Sequence, residues 1–254
     1  MKKYLIIVVF CLGTITSIHA QQYKVAKSTG KLELNLPSVI VEGYEGNEII
    51  FESQKSQEEA DPRAKGLRAI NGAGFIDNTG LGISVVEKGT TIEVNQVASD
   101  IAVKIKVPKG LIVSFSCHKV NSGNVVFRNM ENEIETSTDY NTIKLENVSG
   151  PVLVRAIYGS VDATFNEHIK GPISIASIYS VVDVAIPVDT KANVKLSSSN
   201  GTIMASADLK IEMEKNSGDD MISYGGLVNG KINGGGTEFK LTSEYGKIYL
   251  RKSK

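Results

Sequence analysis

Apolar residues occupy every second position along most of this chain. One such run is L-E-L-N-L at residues 32–36, and another is I-A-V-K-I-K-V at residues 101–107. Alternation of this kind predicts strands with one buried face, and no stretch of the chain holds a helical period. The polar stretch at residues 56–65 has Pro62 in its middle and is predicted to be a loop. The pattern therefore predicts an all-β protein.

The second half of the chain contains an internal repeat. Residues 150–165, G-P-V-L-V-R-A-I-Y-G-S-V-D-A-T-F, align with residues 171–186, G-P-I-S-I-A-S-I-Y-S-V-V-D-V-A-I, at an offset of 21. A backward step of 18 places Val152 over Ile134. Units this short cannot close a core alone, so the repeat predicts that they stack in register and bury one continuous apolar column.

The repeat continues towards the C-terminus. A forward step of 21 places Val182 over Ile203, and residues 241–250 match residues 196–205 at an offset of 45. The C-terminal match predicts a last coil, reached after an irregular, glycine-rich stretch. The whole pattern predicts a β-solenoid or β-roll of coils of about 18 to 21 residues with an N-terminal β cap. A β-sandwich is the alternative.

The predicted organisation has three parts. They are a signal peptide at residues 1–20, an N-terminal β region at 21–110 with a polar insertion at 53–78, and the repeats at 111–254 with an irregular insertion at 206–236 and a final coil at 237–250.

The first residues indicate export. Lys2 and Lys3 precede the apolar stretch Leu5 to Leu12, which ends at S-I-H-A, residues 17–20. This is the pattern of a secretory signal peptide, and the apolar run is too short to cross a bilayer. The mature chain is predicted to start at Gln21, to have no transmembrane segment, and to reside in the periplasm, at the outer surface or outside the cell.

Charge and cysteine content exclude some classes of function. The chain has 28 basic and 28 acidic residues, which argues against a nucleic-acid partner because phosphate binding needs a concentrated basic surface. Cys117 is the one cysteine after the predicted signal peptide, and it shares a strand face with Val113 and Phe115. We expect it to be a buried small hydrophobe rather than a nucleophile.

Several turn and strand patterns resemble a known family. They are L-E-L-N-L-P-S-V-I-V-E-G-Y-E-G-N-E-I-I-F, the strand end V-P-K-G at residues 107–110, the repeated G-x-[IV] coils, and the closing G-G-G-T-E-F-K-L-T-S-E-Y-G-K-I-Y-L-R-K. The chain resembles the exported "putative adhesin" family of β-strand-repeat proteins of unknown function, of the type common in Bacteroidetes. The resemblance implies a β-solenoid or β-roll and a cell-envelope location, and it supplies no catalytic residue.

One aromatic position recurs with the repeat. Tyr140, Tyr158, Tyr179 and Tyr245 each precede the first apolar residue of the next strand by three positions, and Asn200 has the same place in another coil. If the rings project outward, they form an aromatic surface suited to a sugar or to an apolar patch of a partner. If they lie along a corner, they are a structural stacking ladder.

Residues that could carry catalysis or bind metal are sparse. Asp162 aligns with Asp183 at an offset of 21, and stacked carboxylates could bind calcium or act as an acid and base pair. We interpret them instead as outward strand positions. His118 and His168 are predicted to lie in different coils, beside no carboxylate or cysteine cluster with the spacing of metal ligands. Residues 219–220, Asp-Asp, are interpreted as turn residues. No catalytic residue and no cofactor is predicted.

The sequence thus favours a non-catalytic envelope protein, an adhesin-like binding module for a glycan or a surface protein. Two alternatives stay open: a β-helix enzyme acting on polysaccharide, and an exported partner in envelope signalling.

Overall fold

The computed structural model describes residues 21–55, 62–120, 122–213 and 226–253. The predicted signal peptide and the Asp-Asp pair at 219–220 lie outside these residues.

The described residues form 21 strands and two short 3₁₀ turns, Pro62–Ala64 and Ala207–Leu209. The strands are β1 Gln22–Val25, β2 Gly30–Asn35, β3 Val39–Tyr44, β4 Ile49–Ser53, β5 Ile83–Lys88, β6 Thr91–Gln96, β7 Val103–Pro108, β8 Leu111–Cys117, β9 Val125–Arg128, β10 Ile134–Thr138, β11 Ile143–Val148, β12 Val152–Ala156, β13 Val161–Phe165, β14 Ile173–Ser177, β15 Val182–Ile186, β16 Ala192–Ser198, β17 Ile203–Ala205, β18 Glu212–Met213, β19 Gly226–Ile232, β20 Thr237–Ser243 and β21 Ile248–Lys252. The predicted all-β class is confirmed.

The strands belong to two mixed sheets that enclose one core, as in a sandwich. The ten-stranded sheet has the order β1-β4-β7-β3-β9-β11-β13-β15-β21-β17. The eleven-stranded sheet has the order β18-β19-β16-β20-β14-β12-β10-β8-β2-β6-β5. Both sheets combine parallel and antiparallel pairs.

The interior strands come in pairs, one strand in each sheet, and we call each consecutive pair a rung. The described residues contain eight rungs: β6/β7, β2/β3, β8/β9, β10/β11, β12/β13, β14/β15, β20/β21 and β16/β17, in their spatial order. Neighbouring rungs are joined by parallel pairing in both sheets. Antiparallel strands flank the rungs at the sheet edges: β5, β4 and β1 at one end, and β19 and β18 at the other.

The central rungs follow the predicted register. Val152 pairs with Ile134 on one side and with Ile173 on the other, which are the offsets of 18 and 21 seen in the sequence. Buried residues alternate with outward residues along each of these strands, as in β14, where Ile173, Ile175 and Ser177 point inward.

The predicted order of the last coils is wrong. Val182 pairs with Ile248 rather than with Ile203, and Ile248 pairs in turn with Ile203. The C-terminal rung β20/β21 therefore lies between β14/β15 and β16/β17. The expected alignment of residues 241–250 with residues 196–205 does hold, because Leu241 pairs with Leu196. The C-terminal segment is last in the chain but is one rung from the end of the stack.

The N-terminal rung is displaced in the same way. β2 lies between β6 and β8, and β3 lies between β7 and β9, so residues 30–44 are inserted between two rungs that follow them in the chain. Both end regions of the chain therefore contribute an interior rung, and the N-terminal region also supplies the flanking strands β1, β4 and β5.

The core is one cluster that runs through all the rungs and consists largely of Val, Ile and Leu, with Phe51, Phe115, Phe127, Phe165 and Phe239 as its largest side chains. Cys117 is buried in it and is not in a disulfide, as predicted.

Candidate functional site

The four tyrosines lie at the corners where the chain passes from the eleven-stranded sheet to the ten-stranded sheet. Tyr140, Tyr158, Tyr179 and Tyr245 stand between the two strands of four consecutive rungs, β10/β11, β12/β13, β14/β15 and β20/β21. Because β20/β21 is inserted next to β14/β15, Tyr245 is adjacent to Tyr179 in space although 66 residues separate them in the chain.

Backbone hydrogen bonds continue through these corners. The Tyr158 N–H donates to the Asp139 carbonyl at 2.7 Å, the Tyr179 N–H to the Ile157 carbonyl at 2.8 Å, and the Tyr245 N–H to the Ile178 carbonyl at 2.9 Å. These bonds hold each corner one strand spacing away from the corner of the neighbouring rung. This explains why the side chains repeat so regularly.

Buried serines reinforce the corners from inside. The Ser177 hydroxyl donates to the Gly159 carbonyl at 3.0 Å, and the Ser243 hydroxyl donates to the Ser180 carbonyl at 2.8 Å. The Ser198 hydroxyl donates to the corner of the neighbouring rung at 3.2 Å. Each serine lies two positions before the tyrosine or asparagine of its corner, in S-I-Y, S-E-Y and S-S-N. The sequence contained this signal, but sequence reasoning missed it.

The corner also limits side-chain size. A Cβ at Gly159 would lie 1.8 Å from the Asn141 carbonyl oxygen, and one at Gly246 would lie 2.1 Å from the Ser180 carbonyl oxygen. Glycine directly after the tyrosine lets successive corners approach each other closely.

The four rings form a continuous stack, which we call the tyrosine strip: Tyr140, Tyr158, Tyr179 and Tyr245. Ring centroids of neighbours are 5.0, 5.0 and 5.1 Å apart, and the rings are 14, 11 and 14° from parallel. The residues are 40, 52, 51 and 56 % exposed in the same order. The structure therefore combines the two interpretations of the sequence, since the rings stack on one another and are also open to solvent.

The strip presents ring edges and hydroxyls rather than ring faces. Tyr158 and Tyr179 have a neighbouring ring on both sides, so their faces are largely covered. Within the parts of the chain that the structure describes, none of the four hydroxyls has a hydrogen-bond partner. The strip can donate and accept hydrogen bonds at regular intervals along the stack.

The two aspartates are neighbours in register, and each has a basic side chain beside it. Asp162 pairs with Asp183 between β13 and β15, and Lys144 precedes Asp162 in the same column. Burial, and then the Asp183 carboxylate, raise the pKa of Asp162, which Lys144 partly opposes. Arg251 Nε donates to both Asp183 carboxylate oxygens at 2.7 and 2.9 Å. Among the described residues, no group of three or more His, Cys, Asp or Glu side chains could hold a metal ion.

A single carboxylate lies beside His118, a contact that the repeat offsets had not been used to predict. His118 Nδ1 lies 2.7 Å from Asp139 Oδ1, and His118 Nε2 lies 3.3 Å from the Ser116 hydroxyl. The contact joins two rungs, because β8 pairs with β10 at an offset of 21 and places His118 next to Asp139. The order Ser-His-Asp is that of a hydrolase triad, but the His118 side chain is 60 % exposed and the Ser–His contact is long. His168 is exposed in the loop between β13 and β14.

The similarity of this chain to known proteins is remote. No protein-family model matches the chain, and no curated protein matches it. One similar solved structure is a "putative cell adhesion protein" from Clostridium sporogenes ATCC 15579, with 13 % identity, a TM-score of 0.46, and coverage of 92 % of this chain and 100 % of that chain. Another is a "putative adhesin" from Bacteroides fragilis NCTC 9343, with 11 % identity, a TM-score of 0.31, and coverage of 93 % and 98 %. Similarity this remote does not transfer a function.

In the residues that the structure describes, no helix has the length and apolar character needed to cross a bilayer.

Proposed function

We propose that this protein is a non-catalytic, adhesin-like interaction module of the cell envelope, which binds a glycan or a protein through the tyrosine strip. The observation that carries the proposal is the strip itself: four tyrosines in contiguous rungs, about half exposed, with hydroxyls that no described residue engages.

A purely structural role explains less of this arrangement. Asn200 occupies the same corner position in the rung β16/β17, and its N–H donates to the Glu244 carbonyl at 2.7 Å. The corner therefore forms without a tyrosine. Tyrosine is enriched at binding surfaces because one end of its ring is apolar and the other carries a hydrogen-bonding group.

The finer fold prediction supports such a role. We propose that the eight rungs act as coils of a β-solenoid, flanked at both ends by antiparallel strands. In that architecture, one residue position becomes a column on the surface, so a single recognition residue is presented several times. Repeated weak contacts can then add up to useful avidity.

The proposal also includes that the protein is exported and that it is not an enzyme. The predicted signal peptide supports an exported protein of the periplasm, outer surface or medium. An enzyme acting on polysaccharide is less well supported, because Asp183 is held by Arg251 and His118 is open to solvent. Among the residues that the structure describes, no feature favours a role in envelope signalling.

The test compares a strip variant with a matched surface tyrosine. Tyr140, Tyr158 and Tyr179 are changed together to alanine, and Tyr249→Ala serves as the control because Tyr249 lies on the outer face of β21 and is not part of the ring stack. Binding is measured on arrays of glycans and of envelope proteins. We expect at least a tenfold loss in the strip variant and little change in the control. A strip variant that is folded and binds like the wild-type protein would refute the proposal.

A further inference from the structure

We infer that the partner of the tyrosine strip is an extended β-linked polysaccharide that lies parallel to the stack of rungs and places about one sugar ring on each rung. This inference rests on the proposed binding role of the strip and names its ligand class.

The spacing of the strip is the first argument. Neighbouring rings are 5.0 to 5.1 Å apart, close to the roughly 4.8 Å between paired strands, because the rungs set the interval. An extended β-1,4-linked glycan advances by about one strand spacing per sugar, and because successive rings are turned over, the same ring face returns in step at every second tyrosine. An extended peptide repeats the same face only every two residues, or about 6.7 Å, so its side chains lose step with the tyrosines within two rungs.

The exposed chemistry is the second argument. Covered ring faces leave Tyr158 and Tyr179 unable to stack flat against a ligand, whereas their edges and hydroxyls remain available. A sugar chain offers hydroxyls of its own at every ring, and these can donate to or accept from a phenol. The strip therefore suits a ligand that is polar at each repeat.

The surroundings of the strip are the third argument. The residues next to the two central tyrosines are Ile157, Gly159, Ile178 and Ser180, and none of them carries a charge. Ile157 and Ile178 are half-buried and give the strip an apolar border that can meet the C–H groups of a sugar ring. Charged groups stand next to the end tyrosines, with Asp139 beside Tyr140 and Glu244 beside Tyr245. The centre thus fits a neutral ligand.

A helical protein partner fits less well. The pitch of an α-helix, about 5.4 Å, is close to the interval of the strip, but a docked helix inserts an apolar stripe into a groove. The tyrosines instead project from the corners between the two sheets and carry a line of hydroxyls.

The experiment measures affinity against ligand length. Full-length mature protein is titrated with β-1,4-linked glucose and N-acetylglucosamine oligomers of two to six units, and with α-1,4-linked glucose oligomers of the same lengths. We expect affinity for one β-linked series to rise about threefold or more per added sugar up to four or five units and then to level off, since each hydrogen bond contributes modestly. Affinity that does not depend on length, or that is equal for the curved α-linked series, overturns the inference.

A second variant tests whether the hydroxyls of the strip act in ligand binding rather than in folding. Changing all four tyrosines of the strip to phenylalanine keeps the stacked rings and removes the hydroxyls. We expect an unchanged melting temperature and about a tenfold or greater loss of glycan affinity. Unchanged glycan affinity would overturn the role of the hydroxyls. If strip variants lose an envelope-protein ligand while the wild-type protein binds no glycan of any length, the inference fails and the proposed binding role stands.

Discussion

The central rungs and the two end regions differ in how the order of rungs in the chain relates to their order in space. From β10 to β15, rungs that follow each other in the chain also follow each other in space, at offsets of 18 and 21. At the ends, β2/β3 and β20/β21 are inserted between rungs that are remote from them in the chain. The central rungs can therefore assemble from local segments, whereas the ends need long-range pairing, which carries a larger loop-closure cost.

The inserted C-terminal rung should be the most sensitive part of the molecule. Removing residues 237–254 deletes four buried apolar side chains, Phe239, Leu241, Ile248 and Leu250, and separates the two rungs on either side. At about 1.5 to 3 kcal/mol for each side chain, the loss is about 6 to 12 kcal/mol, comparable with the whole stability of a typical domain.

We expect the truncated protein to show no cooperative urea unfolding transition, followed by circular dichroism. Removal of residues 253–254 alone is the control and should leave the transition nearly unchanged. If the truncated chain unfolds cooperatively near the wild-type midpoint, the inserted rung is not needed to join its neighbours.

Two corner glycines allow the central rungs and the end of the stack to be compared by adding one methyl group to each. Gly159→Ala places a methyl group against the Asn141 carbonyl in the middle of the stack, and Gly201→Ala places one against the Gly246 carbonyl in the last rung; both contacts would be 1.8 Å. The central corner is held by rungs on both sides, so we expect a loss of about 1 to 3 kcal/mol in the free energy of unfolding. The terminal corner can move away, and its loss should be clearly smaller. Equal losses in chemical denaturation would show that the ends are as rigid as the centre.

The stacked aspartates give the smallest effect and one that depends on pH. The folded protein raises the pKa of Asp162, so the protonated form is favoured in the fold and stability falls as pH rises from the ordinary value of 3.8 through the folded value. Asp162→Asn should therefore stabilise the protein at pH 7 by no more than roughly a few tenths of a kcal/mol, because solvent screens this largely exposed carboxylate, and the gain should vanish below the ordinary value.

Asp183→Asn is the matched comparison, because it breaks the pair with Arg251 of the inserted rung. It should leave stability at pH 7 unchanged or slightly lower, since this pair is exposed to solvent. Thermal melts across the pH range measure both variants. A destabilised Asp162→Asn protein at pH 7 would contradict the unfavourable burial of that carboxylate.

Sequence reasoning predicted the register but not the complete order of the rungs. Alternation and the offsets identified the strands and their partners from Ile134 to Ile186, because neighbours in space are neighbours in the chain there. The match of residues 241–250 to residues 196–205 was also right in register. A sequence repeat shows that a segment pairs with a rung but not on which side of that rung it lies. The insertion of β20/β21 between two earlier rungs could therefore not be predicted from the offsets.

The candidate site shows a similar division. The tyrosine column could be predicted because its members share the offsets of the repeat, and Tyr245 joined it through the correct register. The contact of His118 with Asp139 was missed because the repeat was not extended back to β8, although the same offset of 21 relates Val113 to Ile134. The serine bonds inside the corners depend on side-chain orientation, which periodicity does not describe.

The position of the C-terminal rung, β20/β21, has a consequence for how the chain folds as it is made. Residues 173–186 and 192–205 are synthesised well before residues 237–252, which must fit between them. Vectorial folding from the N-terminus therefore stops one layer short, with two apolar surfaces unmatched. A chain that lacks residues 237–252 would leave those two rungs without their shared partner.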